Sequence, residues 1–252
     1  MANLETFSAE NTRQSRHTRA DVVAAALQIL DDYGLPDLTM RRLAATLDVQ
    51  PSALYWHVPN KQTLLALIAD EIVASRVTVG AVAAAGANGG DTDAGDTDAA
   101  ATVDPAPDWK RATRAEATAL RDGLLSYRDG AEVVSSSLAL GLGGADASRR
   151  LADAIARGGF DPTVTEMAAA ALLHFILGHV SHEQQRLQAD SLGVVGAEHA
   201  ASVGAIADLA GRHLTIVNER DSFDFGVALL LDGLAGLQTA RQSASPAVNG
   251  GR

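Results

Sequence analysis

The chain has no cysteine. Disulfides, thiolate zinc sites and cysteine nucleophiles are excluded, and the composition fits a reducing compartment. Aromatic residues make up only 4% of 252 residues, while Ala and Leu dominate. That balance favours helices over strands. No apolar run approaches the roughly 20 residues that cross a bilayer; the longest, Met167 to Gly178, is interrupted by His174. Residues 1–17 carry Glu5, Glu10 and Arg13 around no apolar core, which excludes a signal peptide. A soluble, cytoplasmic protein without membrane contact is expected. Positive charge is scarce too: 20 Lys and Arg face 31 Asp and Glu, for a net charge of −11. A general nucleic-acid coat is disfavoured, but a local DNA-reading face needs positive charge only on itself.

What is present divides the chain into blocks. Residues 1–17 are polar and aperiodic, as in a disordered arm. Residues 18–79 are dense with helix signals. Residues 80–108 hold six aspartates, two prolines and no Lys or Arg, the composition of a flexible acidic linker. A larger helical block follows over 109–241, and 242–252 reads as a disordered tail.

Helix punctuation in the first block is clear. Thr18 is placed to cap a helix whose Val22, Val23, Ala26, Leu27 and Leu30 recur at helical spacing, and Gly34 to end it. Thr39 caps a short helix, Met40 to Leu47. Asp48-Val49-Gln50 forms a turn, and Pro51 opens a third helix running to about His57. Asn60 caps a fourth helix through Leu64, Leu65, Ile68 and Ile72. Two short helices joined by a tight turn between longer ones are the layout of a helix-turn-helix DNA reader. In the second block, helices are expected over 109–127, 147–156, 163–188 and, capped by Ser222, 223–240. The last is apolar nearly all round, as at a subunit interface.

Gln50 to His57 is the most informative segment. Tyr55, Trp56 and His57 are consecutive, so they cannot all face the core of so short a helix. Leu54 and Val58 can fill that core. The aromatic and polar tips, with Lys61 beside them, are then free for bases, sugars and phosphates. The alternative is a small aromatic minicore.

The run LTMRRLAATLDVQPSALYWHVPNK resembles the DNA-binding domain of the tetracycline-repressor (TetR) family, in the subgroup of the tetracycline repressors themselves. Shorter matches follow in order: LLSYRDGA at 124–131, GGF at 158–160, HFILGHV at 174–180 and FDFGVALLLDGL at 223–234. The resemblance implies an all-α fold: an N-terminal helix-turn-helix domain on a larger helical ligand-binding and dimerisation domain, assembled as an Ω-shaped homodimer. It implies a repressor, not an enzyme, that leaves a palindromic operator when a small molecule binds, with an efflux gene or its own gene as target. Arg41 matches a guanine-reading arginine. Pro51, Ser52 and Ala53 match the base-contacting start of the recognition helix. Thr39, Tyr55, Trp56, His57 and Lys61 match phosphate and aromatic contacts. A base-reading glutamine is replaced by Pro51, with Gln50 one place earlier, so the operator should differ.

The family's effector residues depart further. Val134 stands where a histidine would hold drug-bound magnesium, Glu116 and Leu138 replace drug-gripping polar residues, and His182 replaces a magnesium-water glutamate. Magnesium chelation is not supported, and no metal or cofactor is expected. An amphipathic, aromatic effector is expected instead, lined by Glu116, Leu120, Val134, Ser137, Leu151, Leu173 and His179. His179, His182 and Glu183 share a helix face, a spacing that could bind zinc or support acid–base chemistry. No nucleophile loop or phosphate cradle accompanies them, so pocket or interface histidines are the expectation.

Overall fold

The computed structural model describes residues 17–86, 108–191 and 218–244. Most of the expected arm, acidic linker and tail lies outside them, as does 192–217. The protein is all-α. Among the described residues the helices are α1 (Arg19–Tyr33), α2 (Met40–Thr46), α3 (Pro51–Leu54), α4 (Lys61–Gly86), α5 (Asp108–Leu125), α6 (Gly130–Ala139), α7 (Ala145–Ala156), α8 (Pro162–Ser191) and α9 (Glu219–Ala244). A 3₁₀ turn, Leu35–Asp37, follows α1.

Two compact units form. The first holds the described chain up to Val82 together with residues 122–146. The second holds the described residues from 83 to 121 and from 147 onward. The sequence-based boundary at Val79 therefore needs two corrections. Helix α4 continues to Gly86, seven residues into the stretch read as linker; its VTVGAVAAAG run has no proline to stop it. More consequentially, residues 122–146 belong to the same compact unit as the N-terminal helices.

Local signals explain the first unit. Thr18 closes a capping box: its hydroxyl accepts the Asp21 N–H, and the Asp21 carboxylate accepts the Thr18 N–H at 2.7 Å. Gly34 ends α1 at φ +82° and ψ 173°, a conformation open to glycine. Thr39 caps α2 and Asn60 caps α4 by accepting the N–H groups of Arg42 and Thr63. The core joins Val22, Ala26 and Leu30 of α1 to Leu43, Leu54, Leu64 and Ile68, all essentially inaccessible. Each buried Val, Leu or Ile side chain contributes about 1.5–3 kcal/mol by leaving water.

Residues 122–146 are tied to this core by main-chain groups. The Leu35 N–H donates to the Asp129 carboxylate at 2.8 Å, and the Gly144 N–H donates to Asp70 at 2.7 Å. Asp129 itself lies at φ +56° and occupies the N-cap position of α6. Gly143 approaches α4 so closely that a Cβ there would lie 2.6 Å from the Ala66 carbonyl oxygen. Helix α6 was not separated from its neighbours by the sequence reading.

In the second unit, α8 and α9 pack together through Leu172, Ile176 and Val180 of the first and Phe223, Val227, Leu231 and Leu234 of the second. Leu231 faces inward, whereas Leu230 and Leu237 of the same helix are exposed. Helix α9 also begins at Glu219, so Ser222 lies within it and is not its cap; Asn218 accepts the Arg220 N–H instead. As folded, α8 includes an 18-residue window of mean hydropathy 1.4, long and apolar enough to cross a membrane by length and composition alone. Its buried face is occupied by neighbouring helices. Arg121 of α5 inserts a guanidinium between α8 and α9, bonded to both carboxylate oxygens of Glu183 at 2.6 and 2.9 Å and lying 5.5 Å from the Phe223 ring.

Candidate nucleic-acid interface

Helices α2 and α3 carry the expected reading surface. Asp48 joins them at φ +53°, a left-handed turn that Asp tolerates better than most residues. Pro51 sits at the first position of α3, where its missing N–H costs nothing. The α-helical part ends at Leu54, and Tyr55 to His57 form a turn in place of the longer helix expected. Leu54 and Val58 are buried as anchors. Between them Tyr55 is 51% and Trp56 is 90% exposed. That exposure excludes the aromatic minicore: two large rings in water have no structural reason on the head alone.

Around them Arg41, Gln50, Pro51 and Ser52 are exposed, whereas Ala53, His57 and Lys61 are half-buried. Thr39 is exposed but committed to capping α2. Its neighbour Arg42 is held inward by Asp37 at 3.1 Å and by the Tyr33 ring, 4.3 Å beneath its guanidinium. Arg41 is thus left as the outward cation of α2. The Tyr33–Asp37–Arg42 clamp was not found from sequence, although an Asp beside a cap and an Arg three residues into the helix offered a signal.

The expected effector residues divide differently. Leu120, Leu151 and Leu173 are buried in the second unit. His179 is partly buried there, with Phe175 and Phe223 rings 5.7 and 5.4 Å away and its Nε2 facing the Glu219 carbonyl oxygen at 3.2 Å. Glu116 lines a separate groove beside Arg150, Asp153 and Arg157. Val134 and Ser137 belong to the first unit, both buried. The Ser137 hydroxyl has no hydrogen-bond partner among the described residues. Glu183 is engaged by Arg121 and His182 is exposed, so the histidine face does not converge on one point. Among the described residues no three His, Asp or Glu side chains cluster so as to hold a metal.

Comparison with known proteins agrees with this geometry. Residues 22–68 match the family described as bacterial regulatory proteins, tetR family, and residues 103–237 match the tetracyclin repressor-like C-terminal domain. The class C tetracycline repressor protein of Escherichia coli is 32% identical over 222 residues, 86% of this chain and 90% of that protein. BioQ of Mycobacterium smegmatis is 36% identical, with a TM-score of 0.65 over 88% of this chain and 99% of its own. A BioQ chain has also been solved with its natural double-stranded DNA operator, at 35% identity and TM-score 0.60 over 87% and 99%. ActR of Streptomyces coelicolor in complex with (S)-DNPA is 25% identical, with a TM-score of 0.61 over 87% and 98%. The chain belongs to the TetR family of bacterial transcriptional regulators, with a DNA-binding helix-turn-helix head and a helical C-terminal domain of the tetracycline-repressor type.

Proposed function

We propose that this chain is a cytoplasmic, homodimeric repressor that reads a palindromic operator with α2 and α3 and releases it on binding a small amphipathic, aromatic effector. The observation that carries the DNA reading is the outward Tyr55–Trp56 pair on a head whose core is already complete without it. Arg41 reads a base edge from α2. Gln50, Pro51, Ser52 and Ala53 meet bases from the start of α3, and Thr39, Tyr55, Trp56, His57 and Lys61 hold the backbone. BioQ bound to its operator supports this reading.

Effector release is supported by ActR holding a small molecule. The buried Ser137 hydroxyl also supports it, because an unpaired buried polar group is what a polar ligand atom would satisfy. The target is an efflux gene or the regulator's own gene. Dimerisation is supported by the apolar groove of α8 and α9, where Met167, Leu229 and Leu237 are exposed in the single chain. A regulator must hold two heads at half-sites one or more helical turns apart.

Fluorescence anisotropy on a palindromic duplex from the upstream region of this gene tests the proposal. Arg41→Ala should lose about 1–3 kcal/mol of affinity and relax discrimination at one base pair, whereas Lys61→Ala should weaken all sequences alike. Equal binding of parent and Arg41→Ala would remove α2 from the reading surface. Aromatic amphiphiles should lower affinity for the parent; duplex binding insensitive to every such compound would leave a regulator without an effector.

A further inference from the structure

Arg41 and Arg42 are neighbours on the first turn of α2, yet their side chains go different ways. Arg41 is exposed. Arg42 is drawn back, with Nη1 3.1 Å from Asp37 Oδ1 and its guanidinium carbon 4.3 Å over the Tyr33 ring. That Nη1 is sealed from solvent and makes no hydrogen bond among the described residues. Asp37 therefore holds it by charge, without a well-directed bond.

The backbone beneath the pair is fixed. Leu38 and Leu43, which follow Asp37 and Arg42, are wholly buried. The Arg42 N–H donates to the Thr39 hydroxyl, and the Arg42 carbonyl accepts from the Thr46 hydroxyl, both at 3.1 Å. Only the Arg42 side chain can change its place. An exposed ion pair and an exposed cation–π contact each add little to stability. What they fix is where a positive charge goes.

We propose that Asp37 is a positioning residue for DNA binding: with Tyr33 it withholds the Arg42 guanidinium from the phosphate backbone. The inference rests on α2 being the DNA-reading helix proposed above. Neighbouring Cα atoms are about 3.8 Å apart, so an Arg42 side chain turned outward stands beside Arg41, against the same stretch of backbone. A phosphate would offer it directed, charge-assisted bonds. Asp37 competes from within the same rigid head, where it meets Arg42 without the cost of bringing two molecules together. Removing the Asp37 charge tips that balance toward DNA. A phosphate contact carries no sequence information and strengthens every duplex alike. Withholding one in each head weakens operator and arbitrary DNA by the same factor and leaves discrimination to the base contacts. It also leaves less binding for an effector to reverse.

Fluorescence anisotropy of the full chain on operator and on random-sequence duplex, across a salt series, tests this. Asp37→Asn keeps the shape and removes the charge. It should tighten both duplexes by a similar, several-fold factor at low salt. The slope of log affinity against log salt should steepen by about 0.9 per head, the signature of one added phosphate contact. Arg42→Gln in the Asp37→Asn background should restore the parent's slope. Tyr33→Leu removes the ring beneath the guanidinium and should steepen the slope less; Tyr33 is exposed, so this variant carries the test should Asp37→Asn disturb the 3₁₀ turn. An unmoved slope in both variants overturns the inference, as does weaker binding at the parent's slope, which would mark a purely structural contact. Asp37→Asn tightening an Arg42→Gln protein as much as it tightens the parent also overturns it, because Asp37 would then act by repelling phosphate itself. Arg41→Ala reads the DNA face separately. Operator binding equal to the parent's would reject the α2 reading, whereas a loss there with unmoved slopes in the Asp37 and Tyr33 variants would reject only the withheld contact.

Discussion

Arg121 and Arg42 are both held by a carboxylate and an aromatic ring, yet they sit in opposite surroundings. In the second unit, Arg121 and Glu183 are 7% and 12% exposed. In the head, Arg42 and Asp37 are 38% and 52% exposed. A head that must meet a polyanion keeps its ion pairs wet and its large rings outside. The helical unit has exposed pairs too, such as Arg111–Asp108, but it also buries one charge pair among α5, α8 and α9 and turns leucines outward. Buried charge tolerates no loss of partner, whereas a wet pair is nearly neutral when broken. Exposed rings and exposed leucines both mark interfaces, one for bases and backbone, the other for a second apolar surface.

The largest expected effect tests that contrast directly. Glu183→Ala removes the bidentate carboxylate from the buried Arg121 guanidinium and should destabilise the protein by about 3–5 kcal/mol, whereas Asp37→Ala should cost under about 1 kcal/mol. Chemical denaturation of the two variants decides between them; equal losses would erase the distinction between the units.

Next comes the outward leucine face. Leu237→Asp leaves the single chain's core untouched because Leu237 is exposed there. In a dimer it would bury an unpaired carboxylate at a cost on the order of 2–4 kcal/mol. Sedimentation should show monomers with native helicity that no longer hold the operator. A dimer as tight as the parent's would place the interface elsewhere. Leu234, by contrast, is buried within the chain, so Leu234→Asp would unfold the unit and report nothing about assembly.

Gly34→Ala should cost about 1–3 kcal/mol, since the residue holds a glycine conformation and its Cβ would lie 2.9 Å from the Asp129 carboxylate. The loss should be smaller in an Asp129→Ala background, because only the backbone part of the penalty remains. Additive losses in the double variant would show that the carboxylate does not matter to Gly34.

The smallest effect concerns acid. Hydrogen bonds to Asp21, first from the Thr18 N–H and then from its hydroxyl, hold that carboxyl below its ordinary value of 3.8. A depressed carboxyl contributes stability above the unfolded value and loses it as pH falls through 3.8 and below. Asp21→Asn should therefore be slightly less stable than the parent near neutrality, with the difference closing in acid. Thermal melts at stepped pH would show the curves converging, and a constant gap would detach the cap from its charge.

Most of the head was legible because its signals act over three or four residues. Thr18, Thr39 and Asn60 cap the helices they precede, Pro51 opens α3, and Leu54 and Val58 bracket two residues that must face out. The resemblance to the tetracycline repressors rested on these same residues, and the family comparison agrees with it. Ser222 misled because Asn218, four residues earlier, offers the same chemistry and wins the helix start.

What local rules determined, then, is the helical class, the reading head and its exposed Tyr55–Trp56 pair. Tertiary structure alone decided which pieces share a core. The Leu35–Asp129 bond joins residues 94 apart, and the Arg121–Glu183 pair joins residues 62 apart. Neither separation leaves a mark in helical periodicity. Residues 122–146 read as part of the second block because helix propensity says only that a segment coils. Which core it joins depends on a carboxylate reaching an orphan N–H and a glycine letting two backbones touch.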